Sequence, residues 1–212
     1  MTEAVIFDFD GVVGDTMADN CTAWQQAFKE YDLSVNATEY YKLEGMGRYQ
    51  IAEYFIDKYG LDPAIKEAIV IAKELYYKNN NTFKIFDGIA EIFSLLKNNG
   101  VPIAVVTGAS RARISEHFEE RYTAQLSALI TADDVVNTKP DPEPYLKAIA
   151  RLNVSSANCI VVENAILGIR SAKAAGCKCF ALETTLPKEE LILADEVFAN
   201  HRDLLSRLQQ LF

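Results

Sequence analysis

The sequence predicts an α/β protein built on a doubly wound parallel sheet, with an all-helical unit inserted after the first strand. Three observations predict it. Short apolar runs recur along the chain, and the segments between them carry helical periodicity. The alternation is broken once, from about residue 15 to residue 83, where the periodicity is helical throughout.

The elements follow in order. Ala4-Val5-Ile6-Phe7 is a continuous apolar run ending on Asp8, the pattern of a strand buried on both faces. In the helical stretch, Trp24, Ala27, Phe28 and Tyr31 form one stripe. Ile51, Tyr54, Phe55 and Tyr59 form a second, and Ile65, Ile69, Ala72 and Tyr76 a third. Core packing accounts for these aromatics better than a binding role. Asn79-Asn80-Asn81 suits a polar turn where the chain returns. A helix through Ile89, Ile92, Phe93 and Leu96 leads to a strand, Pro102-Ile103-Ala104-Val105-Val106. Ala128-Leu129-Ile130 is a weaker strand. Tyr145, Leu146, Ile149 and Leu152 mark the next helix, and Cys159-Ile160-Val161-Val162 the next strand. A helix through Ile166, Ile169 and Ala172 precedes the strand Cys179-Phe180-Ala181-Leu182. A last helix carries Leu204, Leu205, Leu208 and Leu211 toward the core. Gly100 and Gly176 stand where helix C-caps belong. The division predicted is an α/β core of residues 1–14 and 84–212, Rossmann-like in its winding, and a helical unit of residues 15–83.

Composition narrows the function. A chain of 212 residues has room for one core and a small accessory unit. Its formal net charge of −9 excludes nucleic acid as a partner, because a phosphate backbone needs a basic face. A small phosphorylated substrate stays compatible, since one bound cation reverses the local field. No apolar run approaches the roughly 20 residues that span a bilayer. Met1-Thr2-Glu3 has no basic region, so no secretory signal and no membrane are expected, and the predicted location is the cytoplasm. Cys177 and Cys179 flank Lys178, but no second cluster makes a metal site, and reduced thiols are expected. Triplets such as Asn153-Val154-Ser155 are then chance matches to a glycosylation signal. The predicted state is a monomer.

Four clusters carry chemistry, each just after an apolar strand, where α/β sheets bind ligands. Asp8-Phe9-Asp10-Gly11-Val12 sets two carboxylates two residues apart, which calls for a nearby cation. Thr107-Gly108-Ala109-Ser110 offers a hydroxyl and backbone N–H groups to a phosphate, though it also suits a plain helix cap. Lys139-Pro140-Asp141-Pro142 fixes a turn before a helix and supplies a cation. Glu163-Asn164, followed by Gly168, offers oxygen ligands to a hard metal ion.

Taken together, the four resemble the haloacid dehalogenase superfamily, whose motifs run in this order over essentially the whole chain. The helical insert resembles the cap of the branch holding β-phosphoglucomutase and related sugar-phosphate phosphatases. The resemblance implies a magnesium-dependent phosphatase acting on a small phosphorylated substrate. Asp8 would be the nucleophile and a metal ligand. Asp10 would be the general acid/base and lend its carbonyl to magnesium. Thr107, with the Gly108 and Ala109 amides, would hold the phosphoryl group. Lys139 would bridge it to Asp8, and Glu163 and Asn164 would complete the metal site.

The sequence departs from that pattern in places. Asn164 stands where the family often has Asp, which removes one negative charge. Leu43-Glu44-Gly45-Met46-Gly47-Arg48 resembles the cap loop that enters the active site. Glu44 occupies the position of a lysine in sugar phosphomutases and would repel a second phosphate unless a metal bridged them. An acid there also resembles a pyrophosphatase-like relative, in which it helps enforce a small substrate pocket. Arg48 remains to clamp an anion. Asn20 stands where relatives often carry His. Glu44, Gly45 and Arg48 are therefore the expected substrate-selecting residues. Hydrolysis of a phosphomonoester or of pyrophosphate is the leading expectation. A β-phosphoglucomutase-like phosphomutase is the alternative, with a non-catalytic phosphate binder behind it. The hinges are expected near Gly14-Asp15 and between Lys84 and Gly88. His117 and His201 lie outside the motifs and are expected at the surface.

Overall fold

The computed structural model describes residues 2–212. The first apolar run forms β1 (Ala4–Asp8), buried along its whole length. Four helices follow: α1 (Met17–Lys29), α2 (Ala37–Lys42), α3 (Arg48–Tyr59) and α4 (Lys66–Asn80). The chain returns through α5 (Ile89–Asn98) and β2 (Ile103–Val106). Short helices α6 (Arg111–His117) and α7 (Glu120–Thr123) lead to β3 (Ala128–Ile130). Then come α8 (Glu143–Leu152), β4 (Cys159–Glu163), α9 (Ile166–Ala174), β5 (Lys178–Leu182), β6 (Glu196–Phe198) and α10 (His201–Gln209).

The strands form one parallel sheet in the order β3-β2-β1-β4-β5-β6. This is the expected doubly wound arrangement. The winding direction reverses where β1 meets β4, the place at which such sheets open a crevice at their carboxyl ends. Asp8 and Glu163 are the last residues of those two strands. Alternation along β1 divides the core in two. Val5 and Phe7 face a cluster with Ile89, Ile92 and Phe93 of α5, while Ala4 and Ile6 face one with Tyr145 and Ile149 of α8. Each side is thus sealed, and the strand ends are held rigidly.

Helices α1 to α4 enclose a third apolar cluster, centred on Trp24, Phe28, Phe55 and Ile69. The two chain crossings that lead to and from it run side by side. Asp15 N donates to Lys84 O at 2.9 Å, Phe86 N donates to Val13 O at 3.0 Å, and Gly14 bridges to Ile85. No helix among the described residues is long and apolar enough to cross a membrane.

Several expectations need correction. Asn79 and Asn80 continue α4, and the turn begins only at Asn81. The inward face of α4 is Ile69, Val70, Lys73 and Tyr77, so the stripe is turned by about one residue from the one predicted. Lys73 is buried because Asn20 and Glu74 accept its protons, each at 2.9 Å. Tyr54 and Leu146 are exposed at 38 % and 44 %, off their predicted stripes. Strand β6 has no apolar run to announce it; it is a three-residue edge strand paired to β5. His201 is buried rather than exposed. Its Nε2 lies 2.6 Å from Val12 O and its ring stacks on Phe86 at 4.7 Å. His117 is half-buried and stacks on Phe83 at 5.3 Å.

Candidate active site

The predicted core residues meet at the carboxyl end of the sheet. Lys139 comes from the loop before α8. Asp141 fixes that loop by accepting from Glu143 N at 2.8 Å, and Ser171 Oγ donates to Asp141 O at 2.6 Å. The Lys139–Pro140 peptide is cis. Lys139 Nζ reaches Asp8 Oδ1 and Glu163 Oε1, both at 2.6 Å, with all three side chains buried. Tyr145 OH also donates to Glu163 Oε1 at 2.6 Å. The amides of Asn164 and Ala165 donate to Glu163 Oε2 at 3.0 and 3.2 Å. Both Glu163 oxygens are therefore committed, and its visible work is to orient Lys139. Gly168 makes room for this: a Cβ there would lie 1.8 Å from Glu163 Oε1.

Burial raises the Asp8 carboxyl well above the usual range, and the Lys139 ammonium works against that rise. Burial alone would depress Lys139, but Asp8 and then Glu163 outweigh it and hold the ammonium charged. One lysine shared by two buried acids leaves excess negative charge, which a cation would offset.

The residues present fit such a cation. Asn164 Nδ2 donates to Thr185 Oγ1 at 2.9 Å, which leaves Asn164 Oδ1 buried without a partner among the described residues. An orphaned buried carbonyl costs about 1–3 kcal/mol, and a hard cation would satisfy it. Gly11, at φ +83°, lets the loop pass this amide; a Cβ would lie 2.1 Å from Asn164 Nδ2. No three His, Cys, Asp or Glu side chains converge as a metal cluster among the described residues. That follows from the donor set, in which an amide oxygen replaces an acid and Glu163 is engaged elsewhere.

On the other side lies Asp10. Its Oδ1 accepts from Thr16 Oγ1 at 2.5 Å and from Asn20 Nδ2 at 3.3 Å. The Arg113 guanidinium reaches both Asp10 oxygens. Thr107 Oγ1 accepts from Ala109 N at 3.0 Å, so the Ala109 amide is turned inward, while Gly108 N–H has no partner among the described residues.

The segment from Glu44 to Arg48 drops onto these groups. Gly45, at φ +99°, sits so close to Lys139 that a Cβ would lie 3.2 Å from that side chain. The carbonyls of Met46 and Gly45 lie over Gly108, and Gly47 N donates to Thr138 Oγ1 at 3.2 Å. A cavity of about 30 Å³ remains, with Asp10, Glu44, Arg48, Gly108 and Arg113 in its wall. Glu44 accepts from Tyr40 OH at 3.0 Å. Burial, and then the Asp10 charge, push the Glu44 carboxyl up to about 7. Arg113 and Lys73 were not singled out in the sequence. Their signal is a basic residue on a helix face that the site turns inward, which only the helix phase reveals.

A doubly wound sheet with its acids and a buried lysine gathered at the switch point is the architecture of an α/β enzyme. The haloacid dehalogenase-like hydrolase family model matches residues 5–182, and the chain belongs to that family. It is 30% identical over 196 residues to validoxylamine A 7'-phosphate phosphatase of Streptomyces hygroscopicus subsp. limoneus, covering 92% of each chain. It is 28% identical over 186 residues to β-phosphoglucomutase of Bacillus subtilis, covering 82% of this chain and 80% of that one. The structure of β-phosphoglucomutase from Clostridium difficile superposes with a TM-score of 0.83 at 25% identity, covering 99% of this chain and 96% of the other. Two Arabidopsis thaliana relatives are longer, and the chain spans 19% and 52% of their lengths.

Proposed function

We propose that the chain is a magnesium-dependent phosphohydrolase that cleaves a small phosphomonoester, or pyrophosphate, through an aspartyl-phosphate on Asp8. The observation that carries this reading is the Asp8–Lys139 pair. One Asp8 oxygen is held by Lys139 at 2.6 Å, and the other takes no hydrogen bond from the described residues and is free to attack. Asp8, the Asp10 main-chain carbonyl and Asn164 Oδ1 would hold Mg2+, with Glu163 acting on the site through Lys139. When bound, the ion supplies positive charge to the oxygens of the transferring group. Residues 15–83 serve as the cap and residues 1–14 and 84–212 as the core.

In the first step Asp8 attacks phosphorus and the bond to the leaving oxygen breaks. Asp10, protonated for this step, gives its proton to that oxygen. Lys139 and Thr107, with the Gly108 amide, bind the phosphoryl oxygens. In the second step Asp10 takes a proton from water as the water attacks phosphorus. Phosphate leaves and Asp8 is restored. The cap loop shields the aspartyl-phosphate between the two steps.

One observation favours the mutase alternative. Gly45 and Met46 close over Gly108 and leave a cavity of only about 30 Å³, which limits water. Against it, Glu44 faces Asp10 where a second phosphate would need a cation. Phosphate release with magnesium over a panel of sugar phosphates, small phosphomonoesters and pyrophosphate decides between them, with Asp8→Asn protein as blank. Release above the blank is expected. A wild-type protein that releases no more than the blank would remove the hydrolase reading.

A further inference from the structure

Arg113 has no part in the steps above, yet it is the side chain most closely engaged with Asp10. It rises from α6, in the core, and ends between two helices of the cap. Its Nη2 reaches both Asp10 oxygens and its Nη1 donates to Asn20 Oδ1 of α1 at 3.2 Å. Its guanidinium lies 5.0 Å from the ring centre of Tyr77, on α4. The Arg113 side chain is 11% exposed and that of Asp10 is 8% exposed.

We infer that Arg113 is a positioning residue, which fixes the plane of the Asp10 carboxylate and makes that hold depend on closure of the cap. The inference rests on the acid/base role proposed for Asp10. Thr16 and Asn20 both donate to Oδ1 alone and leave the carboxylate free to turn about its last bond. Arg113 Nη2 contacts both oxygens while Nη1 is anchored on Asn20, so the planar guanidinium is held through two nitrogens and restrains that turn, whereas an ammonium has one nitrogen for all its partners. Proton transfer to a leaving oxygen needs that fixed direction. Asp10, Arg113 and Gly108 form the core wall of the reaction cavity, while Glu44 and Lys73 form the cap wall. Arg113 is thus set by groups from both sides. When the cap moves away, Arg113 loses Asn20 and Tyr77 together, and the geometry of Asp10 loosens before product leaves.

The test is a double-mutant cycle in steady-state hydrolysis of a sugar phosphate with magnesium. Arg113→Gln is expected to lower kcat about 10- to 100-fold with KM changed less than about twofold. Arg113→Lys should fall between the two. On an Asp10→Asn background, Arg113→Gln should cost nothing further, because the two residues act as a unit. The same fold-loss in both backgrounds, or a loss carried by KM, overturns the inference. Thermal melting checks that each variant folds. Tyr77→Leu removes a cap-side partner of Arg113 that makes no hydrogen bond to Asp10, and should lower kcat in the same direction if Arg113→Gln does not fold. X-ray scattering of ligand-free Arg113→Gln protein should show a more open cap than the wild type. An unchanged profile overturns the coupling to closure even if turnover cannot be read. If Asp10→Asn keeps full turnover, the Asp10 assignment falls and the inference with it. If Asp10→Asn is impaired and Arg113→Gln is not, only the inference falls.

Discussion

Glu44 carries the plainest residue-scale consequence. The Asp10 charge pushes its carboxyl up, Tyr40 donates to it, and the Arg113 and Lys139 charges pull it down. Burial and Asp10 raise its carboxyl from the usual 4.5 to about 7 in the folded protein. A raised acid binds its proton more tightly when folded. Its contribution is therefore best below about pH 4.5, is lost as pH rises toward 7, and is flat above that. Glu44→Gln should remove this slope. Urea unfolding of both proteins from pH 4.5 to 8 is expected to show the variant gaining on the wild type up to about pH 7. Parallel curves would mean that burial and Asp10 do not raise the Glu44 carboxyl in the folded protein. The acids were legible in the sequence because they stand at or just beyond the ends of apolar strands, and Lys139 because the prolines of Lys139-Pro140-Asp141-Pro142 mark the turn that presents it before α8. Arg113 and Lys73 were not, because a lone basic residue on a helix reads as solvated until packing turns it inward. The histidines misled for the same reason: His201 is polar by type but finds Val12 O inside the core.

At the scale of elements, α9 shows local propensity yielding to the site. A helical Gly is usually improved by Ala, by about 0.5–1 kcal/mol. At Gly168 the added Cβ would lie 1.8 Å from Glu163 Oε1. Overpacking of that kind costs about 1–3 kcal/mol. Gly168→Ala should therefore destabilise the protein and lower turnover as Glu163 releases Lys139, as read by urea unfolding and phosphate release. A stabilised variant would show that Glu163 can shift without cost. The strands were legible because their apolar runs, though short, are continuous, and α5 because its periodicity is unmixed. Ile89, Ile92, Phe93 and Leu96 are all fully buried, as predicted. Strand β6 was not, since an edge strand of three half-buried residues gives no period to read. The end of α4 was misplaced because Asn favours turns yet tolerates a last helical turn: Asn80 and Asn81 donate to Tyr76 O and Tyr77 O.

Over the whole molecule, the apolar cluster of α1 to α4 is separate from the two that sandwich the sheet, with Tyr41 touching both sides. Cap motion about the paired crossings at residues 13–15 and 84–86 would therefore break no shared core. What holds the closed form is mostly polar. Lys42 pairs with Glu190 at 2.9 Å and Lys78 with Glu116 at 2.7 Å, and all four side chains are 30% exposed or more. Exposed pairs of this kind contribute about 0.2–1 kcal/mol each. With the Gly47–Thr138 hydrogen bond and the Arg113 contacts, the sum is small enough for an open form to be populated. Salt screens the exposed pairs, as the Debye length falls from about 10 Å at 0.1 M to about 3 Å at 1 M. The ligand-free protein is thus expected to expand in small-angle scattering as sodium chloride is raised over that range. Magnesium with inorganic phosphate should reverse the expansion, because the anion recruits Lys139 and the Gly108 amide from beneath the cap loop. A radius of gyration indifferent to salt and to phosphate would mean that the cap does not open by the hinge argued here. Substrate would then have to enter through the outer groove between α4 and α6, where Arg48, Glu74 and Arg113 line the wall.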